Sequence, residues 1–266
     1  MDTRVGVNFL VGFFVGIAGG LIGLGGAELR LPYLVGVLGL AAKTAVPINL
    51  AVSLATVLAS LPVRLAKTDT SALAEWWPVM AAMIIGAMIA AYIGAGWLRK
   101  VSGATLARSI GILLVVLGLV MIAEALVPLV PAGVLPSSEP VRLLFGLAFG
   151  GIIGLISSLL GVAGGEVIIP TLVIGYGAPI AFAGTLSLLI SLPTILVGLA
   201  RYLRAGAFAN RSLLTGVVVP MALGAVFGGP IGGWLAAFVP GAMLKAVLGI
   251  LLIWSARKVF GERRSG

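Results

Sequence analysis

The sequence contains no cysteine and no histidine, and its only aspartates are Asp2 and Asp69. The missing residues exclude thiolate metal sites, haem held by these side chains, thiol catalysis and a Ser–His dyad. One aspartate is terminal and the other lies in a polar loop, so a paired-aspartate intramembrane protease is not expected. We therefore predict that the protein is not an enzyme and has no catalytic residues, no metal and no cofactor.

Charge is also scarce. Only 9% of the 266 residues are charged, 61% are hydrophobic, and the mean hydropathy is +1.23. A soluble protein of this size needs far more polar residues to cover its core. The apolar residues form long runs without the short alternating segments of an outer-membrane barrel. This pattern predicts an all-α integral membrane protein whose partner is the lipid bilayer.

The net charge of +9 is spread over the ends of the apolar runs, which is not the footprint of a nucleic-acid-binding protein. Lys and Arg in these places are typical of loops on the cytoplasmic side of a membrane, and they place the C-terminus there. The first run begins near Val5 and is not followed by a cleavage motif, so it is interpreted as a retained membrane segment. Arg64 and Lys67, at the end of one run, are interpreted as interfacial anchors.

Ten apolar runs are separated by short polar stretches, at 5–22, 27–38, 44–66, 76–98, 103–130, 141–160, 166–176, 180–203, 212–238 and 241–260. A proline-rich linker at 128–140 cannot be a continuous helix. It divides the chain into membrane repeat 1 (residues 1–127) and membrane repeat 2 (residues 141–266), which together form one transport unit. The runs predict about 8–10 membrane helices or half-helices.

The second half repeats the first at a constant offset of 138 residues, without gaps. The pairs include Gly12 and Gly150, Gly16 and Gly154, Gly23 and Gly161, Gly26 and Gly164, Glu28 and Glu166, and Pro32 and Pro170. Such a long register indicates a duplication, which is the usual build of secondary transporters.

Each repeat opens with an apolar segment that glycines interrupt. Residues 5–38 would form a helix of about 50 Å, which is too long to cross a ~30 Å hydrocarbon core once. We therefore predict a discontinuous or re-entrant helix there and again at 141–176. If each broken segment returns to its starting side, the two repeats have inverted orientations; if it crosses once, they are parallel. The length of the segments favours inverted repeats, which also place Arg64 and Lys67 on the non-cytoplasmic side.

The glycine breaks are the first candidates for a substrate site. A helix that restarts after a glycine exposes backbone N–H groups, and these groups attract anions. The candidates are Gly25, Gly26, Ala27, Gly164 and Gly165. The alternative is that these glycines serve close helix packing, which is how we interpret the other paired glycines.

Glu28 and Glu166 follow the two breaks directly and are candidates for coupling to protons, because burial raises the pKa of a carboxyl group. They could instead cap the exposed N–H groups, or pair with Arg30 or another arginine.

A stripe of small polar residues recurs on the run after each break. It consists of Asn49, Ser53 and Thr56 in repeat 1 and of Ser187, Ser191 and Thr194 in repeat 2. The spacing i, i+4, i+7 places each set on one helix face. The stripe lines a substrate pathway or forms hydrogen bonds between helices. Arg201, the deepest arginine of its run, is the candidate for attracting an oxyanion.

Duplicated breaks of the forms G-x-G-G-x-E-x-x-x-P and G-x-x-G-G-E-x-x-x-P, each followed by a polar stripe, resemble the TauE/SafE sulfite exporters, also called the TSUP superfamily. The resemblance covers essentially the full chain. It implies secondary transport, usually export, of sulfite, sulfoacetate or related organosulfonates across the bacterial inner membrane. Ala27 and Ala163 stand where further glycines are often seen in this family.

We therefore expect a multi-pass exporter of a small sulfur-containing anion, coupled to the proton motive force. The two breaks would face each other near mid-membrane, with Asn49, Ser53, Ser187 and Ser191 around them. An anion channel, an uncoupled carrier for another small organic anion and a membrane scaffold without substrate stay open as alternatives, as does a homo-oligomer.

Overall fold

The structure, a computed structural model, describes residues 2–97, 103–127, 133–160 and 162–261, and within these ranges all regular elements are helical. Part of the predicted linker, residues 128–132, lies outside the described residues. The helices are α1 (Asp2–Ile22), α2 (Ala27–Pro32), α3 (Ala42–Leu65), α4 (Thr70–Trp97), α5 (Gly103–Leu126), α6 (Glu139–Leu160), α7 (Gly165–Pro170), α8 (Ile180–Arg204), α9 (Arg211–Leu213), α10 (Val219–Leu235) and α11 (Gly241–Gly261). Three π-helical segments continue α2, α7 and α9, at Tyr33–Val37, Thr171–Gly175 and Leu214–Val218.

Six of the described helical stretches are long and apolar enough to cross a membrane. Large apolar side chains on their outer faces are exposed, among them Phe14 (63%) and Phe227 (60%). A surface of this kind is stable in lipid and unfavourable in water. The all-α, multi-pass membrane fold that the composition predicted is therefore confirmed.

The first broken segment is re-entrant. Gly23, Gly25 and Gly26 have φ angles of 93°, 80° and 75°, a left-handed conformation that glycine adopts without strain. The chain then turns back along α1. Two contacts show this course: Gly26 lies against Val15, and the Tyr33 hydroxyl donates to Asn8 Oδ1 at 2.8 Å. Asn8 belongs to the first turns of α1, so the segment ends near the side on which it began.

The second broken segment follows the same course. Gly164 has a φ angle of 83° and is the N-cap residue of α7. The Tyr176 hydroxyl, beyond the end of the π-helical segment, donates to the carbonyl oxygen of Arg142 at 2.8 Å. Arg142 lies in the first turn of α6, so this segment also returns toward its starting side.

Glycines allow helices of opposite halves to approach closely. α1 packs along α10, and α4 packs along α6. A methyl group added at Gly12 would collide with the backbone of Met221, and one added at Gly224 would collide with the backbone of Phe9. The packing role that we assigned to these paired glycines is therefore seen directly, as small residues in membrane helices predict.

The helices that follow the two breaks run antiparallel. Leu50, early in α3, lies against Gly198, late in α8, whereas Arg64, late in α3, lies against Gly184, early in α8. This is the relation that inverted repeats require. The duplication itself stays a prediction from the sequence.

Two adjacent glycines of α6 give a direct test of this packing. Gly150 faces the backbone of Met83 in α4, whereas Gly151 has open space where a Cβ would stand. We expect Gly150→Ala to reduce the free energy of unfolding by about 1–3 kcal/mol, because the added methyl group overpacks the interface. Gly151→Ala is the matched control and should be neutral or stabilising by up to about 1 kcal/mol. Thermal unfolding of the purified variants in detergent measures both effects, and equal melting temperatures would contradict the expected packing.

Candidate functional site

The two glycine breaks lie against each other inside the protein. Gly25 is in contact with the Ala163 side chain, and Gly165 lies beside Leu24 and the carbonyl oxygen of Gly23. All five residues are buried. Irregular backbone at membrane depth is tolerated only where it is enclosed by protein or lines a cavity. The fold therefore brings together the two segments that the sequence singled out as a site.

Each re-entrant half-helix begins at a glycine, which has no side chain to cap the first turn. The N-cap residue is left-handed in both places, Gly26 with φ 75° before α2 and Gly164 with φ 83° before α7. Ala27 is fully buried at the start of α2. The first N–H groups of a helix have no partner within it, so polar backbone is concentrated where the breaks meet.

Arg30 joins the first break to α3. Its side chain is fully buried, and its hydrogen bonds include four to the break and to α3. Nη2 donates to the carbonyl oxygen of Gly25 at 2.7 Å and to Ser53 Oγ at 2.6 Å. Nη1 donates to Thr56 Oγ1 at 3.0 Å, and Nε donates to Asn49 Oδ1 at 3.2 Å. The guanidinium thus donates hydrogen bonds to all three side chains of the α3 stripe, and it places a positive charge at the break.

The α3 stripe has further bonds of its own. Asn49 Nδ2 donates to the carbonyl oxygen of Ala27 at 2.9 Å, and Thr56 Oγ1 donates to that of Val52 at 3.1 Å. Of the two roles that the sequence allowed for this stripe, hydrogen bonding between elements describes what Asn49, Ser53 and Thr56 do in this structure.

The α8 stripe has a different environment. Position 168, which corresponds to Arg30 at the 138-residue offset, is an isoleucine and carries no donor. Ser187 and Ser191 are 0% and 1% exposed, and their hydroxyl groups have no hydrogen-bond partner in the structure. Ser187 Oγ lies beside Gly165, at the meeting point of the breaks. Two buried hydroxyl groups on one helix face are therefore left to bond something else.

Glu166 is the second residue of α7 and is 4% exposed, so the structure buries this carboxyl group directly after the second break. The side chain of Glu28 lies outside the part of the chain that the structure describes. Its coupling role therefore stays a prediction from the sequence.

Arg201 is not near the breaks. It lies in the last turn of α8, ten residues or about 15 Å beyond Ser191. Its Nη1 donates to the carbonyl oxygen of Tyr92 in α4, and its guanidinium lies 5.4 Å from the centroid of the Tyr92 ring. The described contacts of this arginine hold α8 against α4.

Arg64 is the residue whose position the sequence did not reveal. The sequence predicts an interfacial anchor at this position, but only 3% of Arg64 is exposed. Its guanidinium bonds to carbonyl oxygens at the end of α1 and at the start of α8, so it joins the two halves beside the breaks. Position 202, at the 138-residue offset, is a tyrosine that donates to the carbonyl oxygen of Ser158 at 3.0 Å. Because Ser158 corresponds to Gly20, the two contacts occupy corresponding places in the two halves, which the structure shows and the sequence does not.

Comparison with known proteins gives one family. The family model described as "Sulfite exporter TauE/SafE" matches residues 8–259, nearly the whole chain. Neither the curated proteins nor the solved structures gave a match. The matched range includes both glycine breaks, both polar stripes and all eleven described helices in whole or in part. The chain therefore belongs to the TauE/SafE sulfite exporter family, a family of membrane transporters.

Proposed function

We propose that this protein exports a small sulfur-containing anion, such as sulfite, sulfoacetate or a related organosulfonate, across the bacterial inner membrane. The anion passes between the two glycine breaks and is bound there by the hydroxyl groups of Ser187 and Ser191. The transport is driven by the proton motive force. Family membership supports the transporter class, and the site geometry supports the place of binding.

The observation that carries this proposal is the pair of buried serine hydroxyl groups without partners. A buried hydroxyl that makes no hydrogen bond costs about 1–3 kcal/mol, so such groups are rare unless a ligand or water uses them. Sulfite and sulfonate groups present several acceptor oxygens to such donors. The corresponding stripe in α3 is already hydrogen-bonded to Arg30, which favours the α8 side as the place where the substrate binds.

Charge at the breaks supports an anionic substrate. The guanidinium of Arg30 is bonded to the carbonyl oxygen of Gly25, and Gly25 contacts Ala163 of the opposite break. A fixed positive charge in a buried, low-dielectric site favours an anion much more strongly than the same charge at the surface. The first turns of α2 and α7, each of which follows an N-cap glycine, add backbone N–H groups of the same polarity.

The test of function is concentrative transport by purified protein in liposomes. Vesicles with an imposed pH gradient are given labelled sulfite, sulfoacetate, sulfate or acetate. We expect saturable accumulation of a sulfur-containing anion above its external concentration, and its loss when a protonophore collapses the gradient. Flux that never exceeds equilibration would point to a channel or an uncoupled carrier. The absence of flux for each of these anions would contradict the proposal.

Glu166 gives a specific prediction for coupling. A carboxyl group that carries the transported proton must change its protonation state, and a glutamine cannot. We expect Glu166→Gln to retain downhill exchange of the anion but to lose accumulation driven by the pH gradient. Glu139→Gln, at the exposed start of α6, is the control and should keep both activities. Gradient-driven accumulation at the wild-type level in Glu166→Gln would exclude this residue as the proton carrier.

A further inference from the structure

A cavity lined by both apolar and polar residues lies where α3 ends and α8 begins. It has a volume of about 250 Å³, and its wall includes the end of α3, the turn from α3 to α4, the first turns of α8 and the end of α10. A cavity of about 10–15 Å³ already holds one water molecule, so this cavity has room for a small anion with its hydration. Thr185, in its wall, belongs to α8, the helix that also carries Ser187 and Ser191.

Arg64 supplies a fixed positive charge to the cavity wall. Nη1 donates to the carbonyl oxygens of Gly20 and Leu21 at 2.7 and 3.0 Å, and Nη2 donates to that of Ala181 at 2.7 Å. Nε donates to Thr185 Oγ1 at 3.3 Å. All four acceptors are neutral, and no carboxylate of the described residues forms an ion pair with this arginine. A guanidinium has five N–H groups, so one on Nη2 is left without a described partner.

Lys67 supplies a second positive charge at the exposed edge of the cavity. Its Nζ lies 4.6 Å from the centroid of the Phe238 ring and 5.6 Å from that of Trp234. Cation–π contacts of this kind hold an ammonium group in place while leaving its N–H donors accessible. Trp234 therefore lies next to an ammonium group that would attract an incoming anion.

Among the described residues of the cavity wall, Asp69 is the one that is acidic. It faces the start of α4, where its Oδ1 accepts hydrogen bonds from the Ser71 backbone N–H at 2.9 Å and from the Ser71 hydroxyl at 2.8 Å. These hydrogen bonds lower the pKa of Asp69, which therefore carries its charge at neutral pH. The cavity wall thus carries two cations and one carboxylate, and this carboxylate already accepts hydrogen bonds from Ser71.

The chemistry of this cavity is not repeated in the other half. At the 138-residue offset, Arg64 corresponds to Tyr202, Lys67 to Ala205 and Thr68 to Gly206. The other half carries its basic residues at different positions, Arg201 and Arg204 in the last turn of α8.

We propose that this cavity is a second binding site for a small oxyanion of the sulfite and sulfonate class, on the side of the membrane where α3 ends and α8 begins. The anion is held by the free Nη2 N–H of Arg64 and the ammonium group of Lys67. The inference rests on the proposed function, since it identifies the substrate's position before or after the central site.

Trp234 fluorescence tests this site without measuring transport. Purified protein is titrated with sulfoacetate and with sulfite, against acetate at matched ionic strength, and the part of the signal that Trp234→Phe removes is assigned to Trp234. We expect a saturable change with the sulfur oxyanions, and an apparent Kd about tenfold higher in Lys67→Gln, which loses one charge-assisted hydrogen bond. Lys245→Gln, which removes the same charge from α11, is the matched control and should keep the wild-type Kd.

The outcomes separate this inference from the proposed function. Persistence of the Trp234 signal in Ser187→Ala/Ser191→Ala would support two distinct sites. An unchanged Kd in Lys67→Gln, or a Trp234 signal that disappears with the two serines, would overturn the cavity site. Transport without any change at Trp234 would overturn it as well and leave the proposed function standing. A lack of transport for all the anions is the result that removes the proposed function.

Discussion

Replacing Ser187 and Ser191 together with alanine should reduce transport by roughly 100-fold without destabilising the protein. A hydrogen bond to a charged group contributes about 1.5–3 kcal/mol, and 1.4 kcal/mol is a factor of ten, so each lost hydroxyl costs about tenfold or more. The folded protein loses nothing, because neither hydroxyl has a partner in the structure. Removal of two unsatisfied hydroxyls should leave the free energy of unfolding unchanged or raise it by about 1 kcal/mol.

Liposome flux and thermal unfolding in detergent, measured on the same preparations, check this prediction. Ser53→Ala is the matched control, since Ser53 Oγ accepts a hydrogen bond from Arg30 at 2.6 Å. We expect this variant to be destabilised by about 1–3 kcal/mol, in contrast to the α8 variant. Wild-type flux in Ser187→Ala/Ser191→Ala would contradict binding of the substrate by these hydroxyls, and a large loss of stability would mean that they have structural partners.

Replacing Arg30 with methionine should lower the free energy of unfolding by roughly 3–5 kcal/mol and abolish transport. The substitution keeps much of the side-chain length but removes the donors to Gly25, Asn49, Ser53 and Thr56. Buried acceptors that lose a charged donor bear the full cost of desolvation. In a chain of this size such a change lowers the melting temperature by roughly 10 °C. Arg30→Lys should have an intermediate effect, because an ammonium group cannot reproduce the planar fork of a guanidinium.

Thermal unfolding checks this second prediction, and Ile168→Met is its matched control. Ile168 is fully buried at the corresponding place in α7 and bonds to nothing through its side chain. A volume-conserving exchange there should cost less than about 1.5 kcal/mol. If Arg30→Met were as stable as Ile168→Met, the guanidinium would not hold the first break. If Arg30→Lys kept both stability and wild-type flux, the need for a bidentate donor would be excluded.

Much of this fold follows from the order of residues. The predicted apolar runs at 44–66 and 180–203 match α3 and α8 (Ala42–Leu65 and Ile180–Arg204) within about two residues. Their bounds could be predicted because a helix in lipid must satisfy its own backbone hydrogen bonds, so long apolar sequence in this setting has essentially one outcome. The glycine breaks could be predicted for a similar local reason, since consecutive glycines favour left-handed backbone and end a helix.

The sequence by itself determined the membrane fold, the positions of the breaks, the polar stripes and, through their pattern, the family. Only the tertiary structure decided which stripe already has hydrogen-bond partners within the protein. Arg30 donates hydrogen bonds to the stripe of α3. Ile168, at the corresponding position, has no donor for the Ser187 and Ser191 hydroxyls of α8. Arg64 is buried where the two halves are in contact. The physical reason is that helix formation depends on neighbours in the chain, whereas satisfaction of a buried polar group depends on which segments the fold brings within about 3 Å of it.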